Sequence, residues 1–113
     1  MEQNENIVYL FGFSMRQGKQ INNLIKILKE QIKTGASIQI ILIHDGVLGI
    51  SKREETPEQA KELLKLPVKV YAMIPDLKAR GIDFNTVQNK IQLIDYENLV
   101  DILVDAPKIA SWL

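Results

Sequence analysis

Residues 7–43 read IVYLFGFSMRQGKQINNLIKILKEQIKTGASIQIILI, and the spacing of their apolar residues changes twice. Ile7–Phe13 (IVYLFGF) is a continuous run of β-branched, aliphatic and aromatic residues, the composition of a strand buried on both faces. Ser14–Lys19 (SMRQGK) is a polar turn. Ile21, Leu24, Ile25, Leu28 and Ile32 then recur at three- and four-residue steps. That spacing places them on one side of a helix and turns Asn22, Lys26, Lys29 and Lys33 to water. Gly35 stands where a left-handed cap is wanted, and Ile38–Ile43 (IQIILI) is a second buried strand. Strand, amphipathic helix and strand form a unit whose right-handed crossover makes the two strands parallel.

The same alternation continues to residue 113. Residues 51–56 (SKREET) are a charged loop. Thr56-Pro57-Glu58-Gln59 predicts a helix start, with threonine as cap, proline in the first turn and glutamine completing a capping box. Leu66-Pro67 ends that helix. Val68–Met73 (VKVYAM) is a third strand, with Tyr71, like Phe11 and Phe13 of the first, assigned to strand packing. Pro75–Gly81 is one or two helical turns stopped by glycine, and Lys90–Ile94 (KIQLI) is a fourth strand. Asp95 is expected to cap a last helix that buries Leu99, Val100, Leu103 and Val104. Pro107 closes it and leaves an apolar end, Ile109–Leu113 (IASWL), in which Trp112 must dock. The expected fold is α/β: three layers, α/β/α, with a central parallel sheet of four to five strands and helices on both faces. A chain of 113 residues has room for one core, so 1–113 is read as a single domain. Residues 1–6 are expected to be a frayed tail.

Composition narrows the function classes. Hydrophobic residues make up 46% and charged residues 25%, which excludes a disordered or supercharged chain. Fourteen basic residues balance fourteen acidic ones, so no electrostatic footprint for nucleic acid stands out. Zero net charge favours association instead. The absence of cysteine removes disulfides and thiolate chemistry, and it fits a cytoplasmic location. The acidic, amide-rich start lacks the basic region of a secretory signal. The apolar runs are too short to cross a bilayer, so no membrane partner is expected.

In a parallel sheet, ligands gather beyond the carboxyl ends of the strands. That rule gathers Ser14–Gly18, His44–Gly46, Ile74–Asp76 and Asp95-Tyr96. His44-Asp45 could move a proton, yet Asp-Gly also suits a simple turn, and no nucleophile motif accompanies it. Ser14–Lys19 could hold an anion on backbone N–H groups, but it matches no phosphate-loop pattern and reads equally as a capping loop. Asp76, Lys78 and Arg80 form either a partner contact or a solvated face. The candidate ligand or partner contacts are Ser14, Arg16, His44, Asp45, Gly46, Asp76 and Arg80. Val47, Leu48, Ile50 and Ile74, which fall outside the periodic core faces, are expected to add apolar contact surface. No catalytic residue, metal set or cofactor loop is identified.

Three ordered blocks carry a resemblance. Ile41–Val47 (ILIHDGV), Val68–Ile82 (VKVYAMIPDLKARGI) and Ile91–Val100 (IQLIDYENLV), followed by Ser111-Trp112, resemble the DsrH/TusB branch of the DsrE/DsrF/DsrH sulfur-relay superfamily. The resemblance implies a three-layer α/β/α fold with the C-terminal segment as a fifth strand. It also implies a cytoplasmic protein working in a hetero-oligomer with DsrE/DsrF-like (TusD/TusC-like) subunits. Complexes of that family pass persulfide sulfur from donor to acceptor, toward 2-thiouridine in tRNA in the Tus branch and in sulfur oxidation in the Dsr branch. Relay needs a cysteine thiolate, and this chain has none. No family catalytic residue can therefore be carried over. The first helix and the SKREET loop also look longer than a minimal family member needs.

Two readings follow. The first is a non-catalytic subunit of a sulfur-relay complex, bound to related subunits or to itself. The second is a stand-alone binding protein for a small ligand or anion, using Arg16, His44 and Asp45 in the strand-end crevice.

Overall fold

The computed structural model describes residues 5–113. Five strands, β1 (Asn6–Phe11), β2 (Ser37–Leu42), β3 (Lys69–Met73), β4 (Ile91–Ile94) and β5 (Lys108–Trp112), alternate with four helices. The helices are α1 (Gly18–Lys33), α2 (Glu58–Lys65), α3 (Ile74–Ala79) and α4 (Tyr96–Asp105). The sheet order is β4-β3-β2-β1-β5. Every pairing is parallel, with Tyr9 opposite Ile40 on one side and Ala110 on the other.

Strand order and crossover handedness together decide which face each helix covers. The steps β1 to β2, β2 to β3 and β3 to β4 all move the same way across the sheet, so right-handed crossovers put α1, α2 and α3 on one face. There Ile21, Leu24, Leu28, Leu63 and Leu77 pack with Tyr9, Phe11, Ile40 and Val70 in the larger core. The step β4 to β5 runs back across the whole sheet and puts α4 on the other face. Leu99, Ile102 and Leu103 pack there against Val8, Ile41, Tyr71 and Met73. Alternate residues of each strand face the two cores, as the pleat requires.

The expected elements are present with shifted ends. The first strand stops at Phe11 and leaves Phe13 beyond it, where its ring meets Phe11 edge-on at 5.8 Å. The tail expected over residues 1–6 is corrected at its end. Asn6 pairs with Ser37 in the sheet, and the Glu5 carbonyl accepts from the Ser37 N–H at 2.7 Å. Residues 1–4 lie outside the described residues. Gly35 adopts the left-handed conformation (φ 86°) that its position demanded.

Two helix expectations are corrected. Pro57, in an extended conformation, occupies the cap position of α2, so Thr56 falls one residue outside the helix. The Thr56 hydroxyl accepts instead from the Gln88 side chain at 2.9 Å. In α4, Asp95 does cap, in a full capping box with Asn98. But Val100 and Val104 are 56% and 76% exposed. The stripe on the sheet is Leu99, Ile102, Leu103 and Ala106, a three- and four-residue spacing that leaves Val100 and Val104 turned outward.

Candidate functional site

The carboxyl ends of β1, β2 and β3 open into three loops that are tied to one another. After β1, the Met15 N–H donates to the Leu48 carbonyl at 3.2 Å, and the Met15 side chain is fully buried. Ser14 is also buried, and its hydroxyl accepts from the Arg16 N–H at 3.2 Å. Its oxygen therefore serves the turn itself. The helix α1 begins after Gln17 without a side-chain cap.

After β2 the chain makes a 3₁₀ turn, His44–Val47. His44 is exposed and holds a positive φ of 49°, unique among the described non-glycine residues. Gly46 lies so close to β1 that a β-carbon there would overlap the carbonyl oxygen of Phe11, so no other residue fits. That oxygen accepts the Ile43 N–H at 3.0 Å. Gly46 thus closes the turn onto the neighbouring strand. Val47 and Ile50 are buried in the larger core, which corrects their expected role as loop contact surface. The turn folds both side chains back under the sheet end, where their apolar area leaves water. Leu48 and Ile74 are half-buried.

After β3, Arg80 joins these loops. Its Nε and Nη2 donate to Oδ1 of Asp45 at 3.2 and 3.0 Å. Its Nη1 donates to the Asp76 carbonyl at 3.3 Å and stands 3.5 Å from the Asp76 carboxylate. The guanidinium, three-quarters buried, offers its fork of donors to the turn after β2 and to the first turn of α3 at once. Asp45 is therefore committed to Arg80 rather than to His44. Lys78 is exposed and takes no part in this tie.

Beside the tie lies a cavity of about 330 Å³ whose walls include Arg16, Arg53 and Arg80. Each of these arginines already faces a carboxylate: Arg16 pairs with Glu54, Arg53 with Asp83 at 3.2 Å, and Arg80 with Asp45. The first two carboxylates also line the cavity. The SKREET loop forms one wall and is held to residues 84–88 by Lys52 N–H to Thr86 carbonyl and Gln88 N–H to Ile50 carbonyl bonds. Ser14, His44, Asp45, Gly46 and Asp76 are not among its lining residues. So the seven candidate residues share one rim, but only Arg16 and Arg80 meet in one cavity. Sequence reasoning missed Arg53, Glu54 and Asp83. The charge density of SKREET was visible, whereas its approach to residues 80–86 depends on tertiary packing. Among the described residues, no group of three His, Cys, Asp or Glu could hold a metal ion.

Asp45 lies in the ILIHDGV block and Arg80 in the VKVYAMIPDLKARGI block, so two of the three sequence blocks meet in one ion pair. The model of the DsrH-like protein family matches residues 14–109. The chain belongs to the DsrH-like family. It is 34% identical over 74 residues to protein TusB of Escherichia coli K12, covering 66% of this chain and 74% of that protein. Protein TusB of Photorhabdus laumondii is 35% identical over 74 residues, covering 65% and 73%. Two solved structures share the fold with a TM-score of 0.72 at 14% identity. They are the ychN protein from E. coli, covering 97% of this chain and 100% of that one, and a protein of unknown function from Methanobacterium thermoautotrophicum, covering 96% and 99%. The DsrH-like α/β fold and its five-stranded parallel sheet are thereby established for this chain. None of its described helices is long and apolar enough to cross a membrane.

Proposed function

We propose that this DsrH-like chain is a non-catalytic subunit of a cytoplasmic sulfur-relay assembly of the Tus type, which serves tRNA 2-thiouridine synthesis. One observation carries the reading: a chain similar to TusB over most of its length has no cysteine anywhere in its sequence. Persulfide transfer requires a thiolate to attack the donor and carry the sulfur. No other side chain in the sequence replaces it. The thiol must come from partner subunits, which by family likeness are TusC- and TusD-like proteins. The matched blocks support a structural role, because Arg80 ties the turn of Asp45 to the end of α3 and is steadied there by Asp76. The cavity offers less to a free anion than its three arginines suggest, since each guanidinium is already matched by a carboxylate.

Two measurements test this reading. Co-expressed with TusC- and TusD-like subunits from the same genome, the chain is expected to co-purify in a stable complex. Incubated alone with a persulfidated donor protein, it is expected to show no mass gain of one sulfur atom. Failure to associate would overturn the subunit role, and a stoichiometric sulfur gain would overturn the non-catalytic one.

A further inference from the structure

The two helical faces of this molecule are opposite in charge. Helix α1 carries Lys19, Lys26, Lys29 and Lys33 against a single acid, Glu30. Helix α4 carries Glu97, Asp101 and Asp105 and no basic residue. Both surfaces also present apolar area. On α4, Tyr96, Val100 and Val104 are 63%, 56% and 76% exposed. They recur every four residues and so form one stripe, about 12 Å long at the helical rise. On the opposite side of the sheet, Ile32, Leu66 and Pro67 line a shallow groove edged by Lys26, Lys29 and Lys33 and by one acid, Glu30. Those lysines span eight residues of helix, about 10 Å from first to last.

We propose that the α4 stripe of one copy of this chain seats in the α1 groove of a second copy. Tyr96, Val100 and Val104 would cover Ile32, Leu66 and Pro67, and the acids flanking the stripe would face the lysines flanking the groove. The lengths match, and three lysines against one acid at the groove leave a net positive edge for the three acids of α4. Lys29 and Lys33 already have acidic neighbours, Glu62 at 2.6 Å and Glu30 at 3.4 Å. All four of these side chains are well exposed, and such pairs exchange partners at little cost. Because groove and stripe lie on opposite faces of one sheet, the contact is head-to-tail. It generates a ring or a filament rather than a two-fold dimer.

A contact centred on one helix falls at the low end of interface sizes, below about 1,200 Å² in total. Self-association is therefore expected at tens to hundreds of micromolar. The inference stands apart from the sulfur-relay reading, since its test uses the isolated chain and no partner subunit.

Sedimentation of the wild-type chain over about 10–500 μM should show concentration-dependent mass, weakened at least about tenfold in 1 M salt, where the screening length is only about 3 Å. The variants D101K/D105K and K26E/K33E should each remain monomeric over that range, because like charges now face each other. Mixed in equal amounts, they should associate again, since each supplies the face the other has lost. All four positions are exposed, so both variants are expected to keep the fold, with circular dichroism as the check. A wild-type chain monomeric at 500 μM would overturn the proposal. So would an oligomer indifferent to either reversal, or reversed variants that fail to rescue each other.

Discussion

The two faces of the sheet are built from the same kinds of residue and end in different states. On the α1 side, Ile21, Leu24 and Leu28 are fully buried, and three helices cover strands β1 to β4. On the α4 side, one ten-residue helix crosses the whole sheet, and none of its residues is buried. Its sheet-facing residues are only partly covered, and its outward valines are in water. The difference follows from topology. Three crossovers fall on one face because three successive strands step in one direction, and only one returns. A fold of this connectivity leaves one face thin unless another chain covers it.

The largest expected effect compares the two faces directly. Leu28→Ala removes a fully buried side chain from the α1 side, and the lost transfer energy plus the cavity should cost about 3 kcal/mol. Val104→Ala on the α4 side removes exposed methyl groups and should stay within about 0.5 kcal/mol. Urea unfolding of both variants at neutral pH measures the pair. If the two costs came out equal, the faces would not differ in packing as described.

The next effect is smaller and concerns how α4 is held. With little burial to hold it, its start depends on the Asp95–Asn98 capping box, in which Asp95 accepts from the Asn98 N–H at 2.9 Å. Asp95→Ala should cost about 1 kcal/mol. Thr56→Ala, outside the cap of α2, loses only the hydrogen bond from Gln88 and should cost about 0.5 kcal/mol by the same unfolding assay. A larger loss at Thr56 than at Asp95 would reverse this ranking.

These residues also show what could be read from the sequence. The α1 helix was legible because one strong apolar period decided both its existence and its buried face. The Asp95 cap was legible because a cap is a local device. Thr56 was misassigned although it has the right chemistry, because Pro57 takes an extended conformation and moves the helix start by one residue. Val100 and Val104 were misassigned because the apolar arc of α4 is wider than the stripe that meets the sheet, and local pattern cannot say which part of it is covered. The rim was legible in outline, since strand ends follow from strand positions. The Arg80–Asp45 tie, 35 residues apart, and the pairing of SKREET with residues 83–88 were not. They depend on which loops adjoin in space, and strand order settles that only after folding. A fifth strand at the C-terminal segment was implied by the family resemblance, and its place beside β1 needed the sheet. There Trp112 packs 6.3 Å from the Phe11 ring.

The last prediction concerns Tyr9, on the α1 side, and appears only in alkali. Tyr9 is 4% exposed, and its hydroxyl donates to Oε1 of Gln31 at 2.6 Å. Burial pushes its phenol above the ordinary value of 10.0, while Gln31 and Lys108 offset part of that rise and Glu5 adds to it. A raised pKa means that the native chain holds this proton more tightly than the unfolded chain does. Below pH 10 both states keep the proton, and Tyr9 contributes no pH dependence. Above it the unfolded chain ionises first, so the stability Tyr9 contributes is lost as pH rises through the folded-state pKa. Tyr9→Phe is uniformly less stable at pH 8 through loss of the Gln31 hydrogen bond, by about 1 kcal/mol. Its stability should then fall less steeply than wild type between about pH 9.5 and 11. Chemical unfolding at a series of pH values gives the two slopes. Parallel slopes would mean that water reaches the Tyr9 hydroxyl, and that the better-covered face of the sheet is less dry at this point than its packing indicates.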